Sequence, residues 1–167
     1  MTVATVHKDP DARTMTMTLQ LAATVERAWQ LWADPRQLER WWGPPTHPAT
    51  FVDHDLTAGG WVSYFMTGPD GEKYHGAWRV LAVDAPHRLE VEDVFTDESG
   101  TPNLELPATA MDVELSPADD SGTTMTLTSR FPSLEAMEQV LSMGAEEGMQ
   151  QALSQIDAIL RDEPGRR

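Results

Sequence analysis

The side chains able to do acid–base work in these 167 residues are few and scattered. Histidines stand at 7, 47, 54, 75 and 87, and most carboxylates fall in turns or on polar strand faces. Strand parity singles out Asp93. Leu89, Val91, Asp93 and Phe95 alternate with Glu90, Glu92 and Val94, which turns one carboxylate towards the apolar side. A carboxylate there must be neutralised, paired or hydrogen-bonded. His54 shares parity with Val52 and Leu56, so it too is expected to point inward. General acid–base work by His54 or His75 with Asp93 or Tyr64 is the catalytic option this pattern leaves. More often such polar groups only orient a bound ligand or satisfy one another.

Other chemistries lack their residues. No compact metal motif such as His-Glu-x-x-His occurs, and Asp53-His54-Asp55 would alternate faces on a strand. There is no Gly-x-Ser-x-Gly elbow and no glycine-rich phosphate loop. No metal and no cofactor is expected. The aromatic residues are the richer signal. Trp41 and Trp42 are adjacent on a short helix and point in different directions; both fit the core, and Trp42 also suits the rim of a cavity. Trp61, Ser63 and Phe65 share one strand face, and Val62, Tyr64 and Met66 the other. Tyr74, Gly76, Trp78 and Val80 form one set, and His75, Ala77 and Arg79 the other, an assignment that a bulge near Gly76 would reverse.

The elements that must position these residues follow from periodicity. Thr14 to Leu21 alternates without a break, as a half-buried strand does. Thr24 caps a helix whose apolar positions are Val25, Ala28, Trp29 and Trp32; Asp34-Pro35 stops it and starts a second that carries Leu38, Trp41 and Trp42. From Thr50 to Phe131 short strands alternate with turns, among them Pro69-Asp70-Gly71 and Asp119-Asp120-Ser121-Gly122. Residues before Thr14 read as a loose arm and 163–167 as a short tail of a single domain. From Pro132-Ser133 onward Leu134, Met137, Leu141, Gly144, Ala145, Gly148, Ala152, Ile156 and Ile159 recur at helical steps, which predicts one helix about 40 Å long.

Gly144 and Gly148 lie on the apolar stripe of that helix, where each costs about 1 kcal/mol relative to alanine. Side-chain volume is unwanted there. Either a strand backbone approaches closely, the commoner cause, or space is left for a ligand. The order of elements gives an α+β layout in which a curved antiparallel sheet of about seven strands wraps the helix. A cavity between sheet and helix is the expected ligand site.

Composition narrows the function further. Twelve basic against 27 acidic residues give a net charge of −15, which argues against nucleic acid and anionic membranes as partners. Zero cysteines exclude disulfides and thiolate chemistry and suit a reducing cytoplasm. No window has the apolar length of a signal peptide or membrane span. Glu90, Glu92, Asp112 and Glu114 fall outward, and Asp97, Glu98, Asp119 and Asp120 fall in turns. The acidity is thus a solvated shell. Six tryptophans and nine methionines are the surplus to explain, and flexible thioethers fit a core or a soft pocket equally.

Trp41-Trp42-Gly43-Pro44, Asp55 to Trp61, Gly68-Pro69-Asp70-Gly71, Phe95-Thr96-Asp97-Glu98 and Ser129 to Ser133 recur in a familiar order. From about residue 14 to 162 the chain resembles the heat-shock-chaperone ATPase activator homologue-like domains of the START-like, birch-pollen-allergen-like (SRPBCC) superfamily. The resemblance implies the helix-grip fold with an apolar cavity; it does not choose an activity. The eukaryotic co-chaperone members carry a further chaperone-binding domain for which this length leaves no room, so chaperone activation is not expected. The leading expectation is a binder of a small apolar or aromatic molecule. A cyclase- or hydratase-type enzyme on an aromatic or polyketide-like substrate is the second, and a chaperone-related or homodimeric interaction module the third. The candidate ligand-binding residues are Trp42, His54, Trp61, Tyr64, His75, Trp78, Asp93, Phe95, Met137, Leu141, Gly144 and Gly148.

Overall fold

Strict alternation from Thr14 to Leu21 buries Met15, Met17, Leu19 and Leu21 on one face of a strand. The structure, a computed structural model, describes residues 5–103, 105–106, 108–118 and 122–161. The expected turn residues Asp119, Asp120 and Ser121 and the tail 163–167 lie outside that range. Ahead of the alternating strand, β1 (Thr5–Asp9) pairs antiparallel with it, so it is β2 (Thr14–Leu21) and the expected loose arm is a strand. The reason is positional. An edge strand is held by backbone hydrogen bonds and can carry polar residues on both faces, which leaves no apolar period to read.

Helix α1 (Val25–Ala33) starts on Thr24, whose hydroxyl accepts from the Arg27 N–H at 3.2 Å. Asp34 then serves two helices. Its N–H donates to the Gln30 carbonyl and closes α1, while its carboxylate accepts from the Arg36 N–H at 2.9 Å and opens α2 (Pro35–Trp41). Six strands follow: β3 (Ala49–His54), β4 (Trp61–Thr67), β5 (Lys73–Asp84), β6 (Arg88–Phe95), β7 (Thr109–Pro117) and β8 (Thr123–Arg130). They pair as an antiparallel meander, and β8 closes on β2 to give the order β1-β2-β8-β7-β6-β5-β4-β3. This is the α+β helix-grip fold, with eight strands where about seven were expected. Register shifts lie between Phe51 and Asp53 and between Val80 and Ala82; Gly76 keeps regular pairing.

The C-terminal arm differs from its expectation. It is not one continuous helix but three, α3 (Leu134–Ser142), α4 (Ala145–Leu153) and α5 (Ile156–Arg161). Ser133 caps α3 by accepting from the Ala136 N–H at 3.0 Å. At the first break Gly144 adopts φ +86°, a left-handed conformation that glycine reaches without steric cost. At the second, Gln155 Nε2 donates to the Gly43 carbonyl at 2.7 Å and ties the arm to the end of α2. Apolar periodicity survives both breaks, because each turn of chain still faces the sheet; that is why the period alone hid them.

Core packing is concentrated at the α1–α2 end. Trp32, Trp41 and Trp78 are fully buried, with Trp32 and Trp41 rings 4.8 Å apart and edge-on, and Trp42 and Trp78 4.9 Å apart and edge-on. Trp41 Nε1 donates to the Leu31 carbonyl at 3.0 Å and Trp32 Nε1 to Met125 Sδ at 3.4 Å. Among the described residues no helix is long and apolar enough to cross a membrane.

Candidate functional site

Beside the break at Gly144 the arm and the sheet separate, leaving a cavity of about 310 Å³. The sheet supplies Tyr64 and Met66 from β4, Asp93, Val94 and Phe95 from β6, and Thr109 from the start of β7. The arm supplies Val140, Met143, Ala145, Gly148 and Met149, and Trp42 with Pro44 closes the side towards α2.

One polar contact is built into this wall. The Tyr64 hydroxyl donates to Asp93 Oδ1 at 2.9 Å, although their strands are separated by β5. Gly76 makes the reach possible. It is the β5 partner of Tyr64, and a Cβ there would come within 2.7 Å of the phenol's Cζ and oxygen. The missing side chain lets the ring lie across β5 to the strand beyond, the close approach that an isolated strand glycine signals. Among the described residues Asp93 Oδ2 accepts no hydrogen bond.

Burial raises the Asp93 pKa from 3.8 to about 7, against the smaller opposing effect of the Tyr64 hydrogen bond. Asp93 is half-buried in the cavity wall, and among the described residues no cation lines that cavity to hold it ionised. Tyr64 is pushed well above the ordinary phenol range, first by burial and then by the neighbouring Asp93. The Trp42 indole N–H works weakly the other way on the phenol, yet closes no hydrogen bond of good geometry and is buried without a partner. The pair Asp93–Tyr64 is therefore a neutral, proton-bearing group at acidic pH and an anion above neutrality.

Trp42, Tyr64, Asp93, Phe95 and Gly148, expected from the sequence, all line the cavity; no strand backbone packs on Gly148, whose Cβ would meet nothing within 4 Å. The other expected residues do not. His54 faces the helices, as parity with Val52 did not require: Val52 is 65% exposed, and the shift after Phe51 brings His54 Nε2 to 3.0 Å from the Trp32 carbonyl, away from the cavity. Trp61 and His75 lie on the outer face of the sheet, with Trp61 44% exposed and His75 against the Phe65 ring at 5.6 Å. Trp78 is inward but sealed behind Trp42 and Phe51. Met137 and Leu141 pack into the core before the break, and Gly144 is the break itself rather than a wall.

The histidine–carboxylate pair of the catalytic option is therefore not assembled. Among the described residues no three histidines and carboxylates are grouped as metal ligands. Met66 shares parity with Tyr64, and Ala145 lies on the helical stripe with Gly148, so both are legible; Val140, Met143 and Met149 lie off that stripe and line the cavity beside the bend of the arm.

A family model described as "Activator of Hsp90 ATPase homolog 1-like protein" matches residues 22–161. The crystal structure of protein Ms6760 from Mycobacterium smegmatis is 52% identical, with a TM-score of 0.87 over 95% of this chain and 96% of that one. A solution structure of a protein from Arthrobacter aurescens is 48% identical, with a TM-score of 0.91 over 96% and 92% of the two chains. CalU16 from Micromonospora echinospora, 19% identical with a TM-score of 0.58 over 98% and 87% of the chains, shares the fold alone. No curated protein matches the chain. A match over nearly the whole domain, together with two close structural relatives, settles kinship: the chain belongs to the activator of Hsp90 ATPase homolog 1-like family, within the SRPBCC superfamily.

Proposed function

We propose that the protein binds a small apolar or aromatic molecule in the cavity beside the bent arm. The observation that carries this reading is the open side of Gly148, set in a helix that alanine would favour and facing 310 Å³ of unfilled space. The family's fold is one that binds ligands between sheet and helix, and the lining is suited to it: aromatic and thioether side chains adapt to a flat apolar guest. The volume is near the lower end for small-molecule pockets, roughly 300–1,000 Å³, which favours a ligand of one or two rings. In this reading the setting is the cytoplasm, with which a cysteine-free chain is compatible. The cyclase or hydratase alternative lacks its histidines in the cavity and is not proposed.

Calorimetric titration with a two-ring neutral probe, 2-naphthalenemethanol, tests the reading. Saturable one-to-one binding is expected in the wild type. Gly148→Leu fills the cavity from a position that tolerates a side chain, so it should abolish binding without lowering the melting temperature. Equal binding by wild type and Gly148→Leu would remove the cavity from the account.

A further inference from the structure

The cavity carries one polar end, and its composition is one-sided. Asp93 and Tyr64 are the titratable groups in the lining, and among the described residues neither lysine, arginine nor histidine reaches it from any of the elements packed around it. Asp93 Oδ1 is committed to the Tyr64 hydroxyl, which leaves Oδ2 as the carboxyl oxygen able to accept from a guest in the cavity that Asp93 lines. Trp42, Tyr64 and Phe95 supply aromatic rings to the same lining. Such rings attract a cation through their negative faces, and more strongly when water is excluded. The methionines complete a wall that is polarizable but uncharged.

We propose, on the premise that this cavity is the ligand site, that it selects a lipophilic primary or secondary amine, whose ammonium group donates to Asp93 Oδ2 while its rings lie between Phe95 and the Trp42 indole. A carboxylate-bearing guest, such as a fatty acid, would place a second negative charge beside Asp93 with no cation to meet it, and is rejected. A neutral alcohol could donate to the same oxygen, but a charge-assisted hydrogen bond is about twice as strong as a neutral one. The net charge of −15 adds a long-range bias towards cations. The raised pKa of Asp93 then has a use: near neutrality the empty site holds its carboxyl partly protonated, and an arriving ammonium displaces that proton to bulk water. No bond beyond this proton transfer is made or broken.

Three probes of one ring system decide the matter by calorimetry: 2-naphthylmethylamine, 2-naphthalenemethanol and 2-naphthoate. At about pH 8 the amine is expected to bind about tenfold tighter than the alcohol, and the acid not at all. Lowering the pH to about 6 protonates Asp93 and should weaken the amine several-fold while leaving the alcohol unchanged. Asp93→Asn should erase the amine's advantage and keep the alcohol within about threefold. If that variant fails to fold, the wild-type pH dependence decides alone. Alcohol or acid binding as tightly as amine overturns the selection of an amine but leaves the cavity as a ligand site. An amine preference that survives Asp93→Asn, or Gly148→Leu, places the amine elsewhere and overturns the proposal. If no probe binds, both this inference and the cavity reading fall.

Discussion

The space between sheet and helices is filled at one end and open at the other. At the α1–α2 end Trp32, Trp41, Trp42 and Trp78 interlock, edge-on in every contacting pair but the tilted Trp32–Trp78, with ring centroids 4.8–6.1 Å apart. At the other end, beside Gly144, methionines, a glycine and one half-buried carboxyl surround a cavity. Trp42 belongs to both, with one side in the cluster and the other on the cavity wall. The contrast separates two uses of apolar residues. Rigid rings fix the helices against the sheet; flexible thioethers line a volume that the fold leaves empty. The largest effect should come from breaking the filled end. Trp32→Ala removes a fully buried ring and orphans its edge contacts, and should destabilise the fold by about 3–5 kcal/mol in urea unfolding. Met149→Ala, at the open end, should cost well under half of that, because its neighbours on one side are already absent. Equal losses would erase the distinction.

The open end has an electrostatic signature that the filled end lacks. An acid whose folded pKa is raised binds its proton more tightly when folded. Stability is therefore greatest below the unfolded pKa of 3.8 and falls as pH rises through the folded value of about 7. The difference in unfolding free energy between wild type and Asp93→Asn should shift by roughly 2–4 kcal/mol against the wild type between about pH 4 and 8. Contributions from other titrating groups are common to both proteins and cancel. A pH-independent difference would mean that Asp93 is solvated as an ordinary surface carboxylate. Gly76→Ala attacks the same end through geometry. A methyl group there displaces the Tyr64 ring, so the variant should lose about 1–3 kcal/mol and release Asp93 from its hydrogen bond. The second effect is visible as a changed carboxyl titration by NMR.

Much of this contrast is legible in the amino-acid sequence, and the illegible part has a common cause. Asp93 and Tyr64 follow from two-residue periodicity, since strand alternation fixes a face wherever pairing is regular. His54 points inward as expected, but not on one face with Val52: an extra residue after Phe51 shifts the register, turns Val52 outward and sets His54 against Trp32 rather than the cavity, and nothing in Thr50-Phe51-Val52-Asp53 marks the shift. Trp61 and Trp78 are of one type but lie on opposite faces; which face is concave is a property of the whole sheet. The helical arm teaches the same lesson. Its apolar stripe continues through both breaks, so the period reports burial and not straightness. Five of six tryptophans prove to be core, and the exposed one, Trp61, is outside the cavity.

The smallest effects divide two glycines that the sequence makes equivalent. Gly144 and Gly148 are four residues apart on one stripe, and an added Cβ meets nothing within 4 Å at either. Space is therefore not what distinguishes them. Gly144 holds φ +86°, where an L side chain is strained by about 1 kcal/mol or more, so Gly144→Ala should destabilise by that amount and favour straightening of the α3–α4 junction. Gly148 sits inside α4 with ordinary helical backbone and is free of that strain, so Gly148→Ala should stabilise by about 0.5–1 kcal/mol through helix propensity. Opposite signs, measured in parallel denaturant titrations, would assign one glycine to the bend that opens the cavity and the other to the emptiness inside it. Two losses of equal size would instead mean that α4 is packed against something at Gly148, and the cavity would have to be smaller than its walls imply.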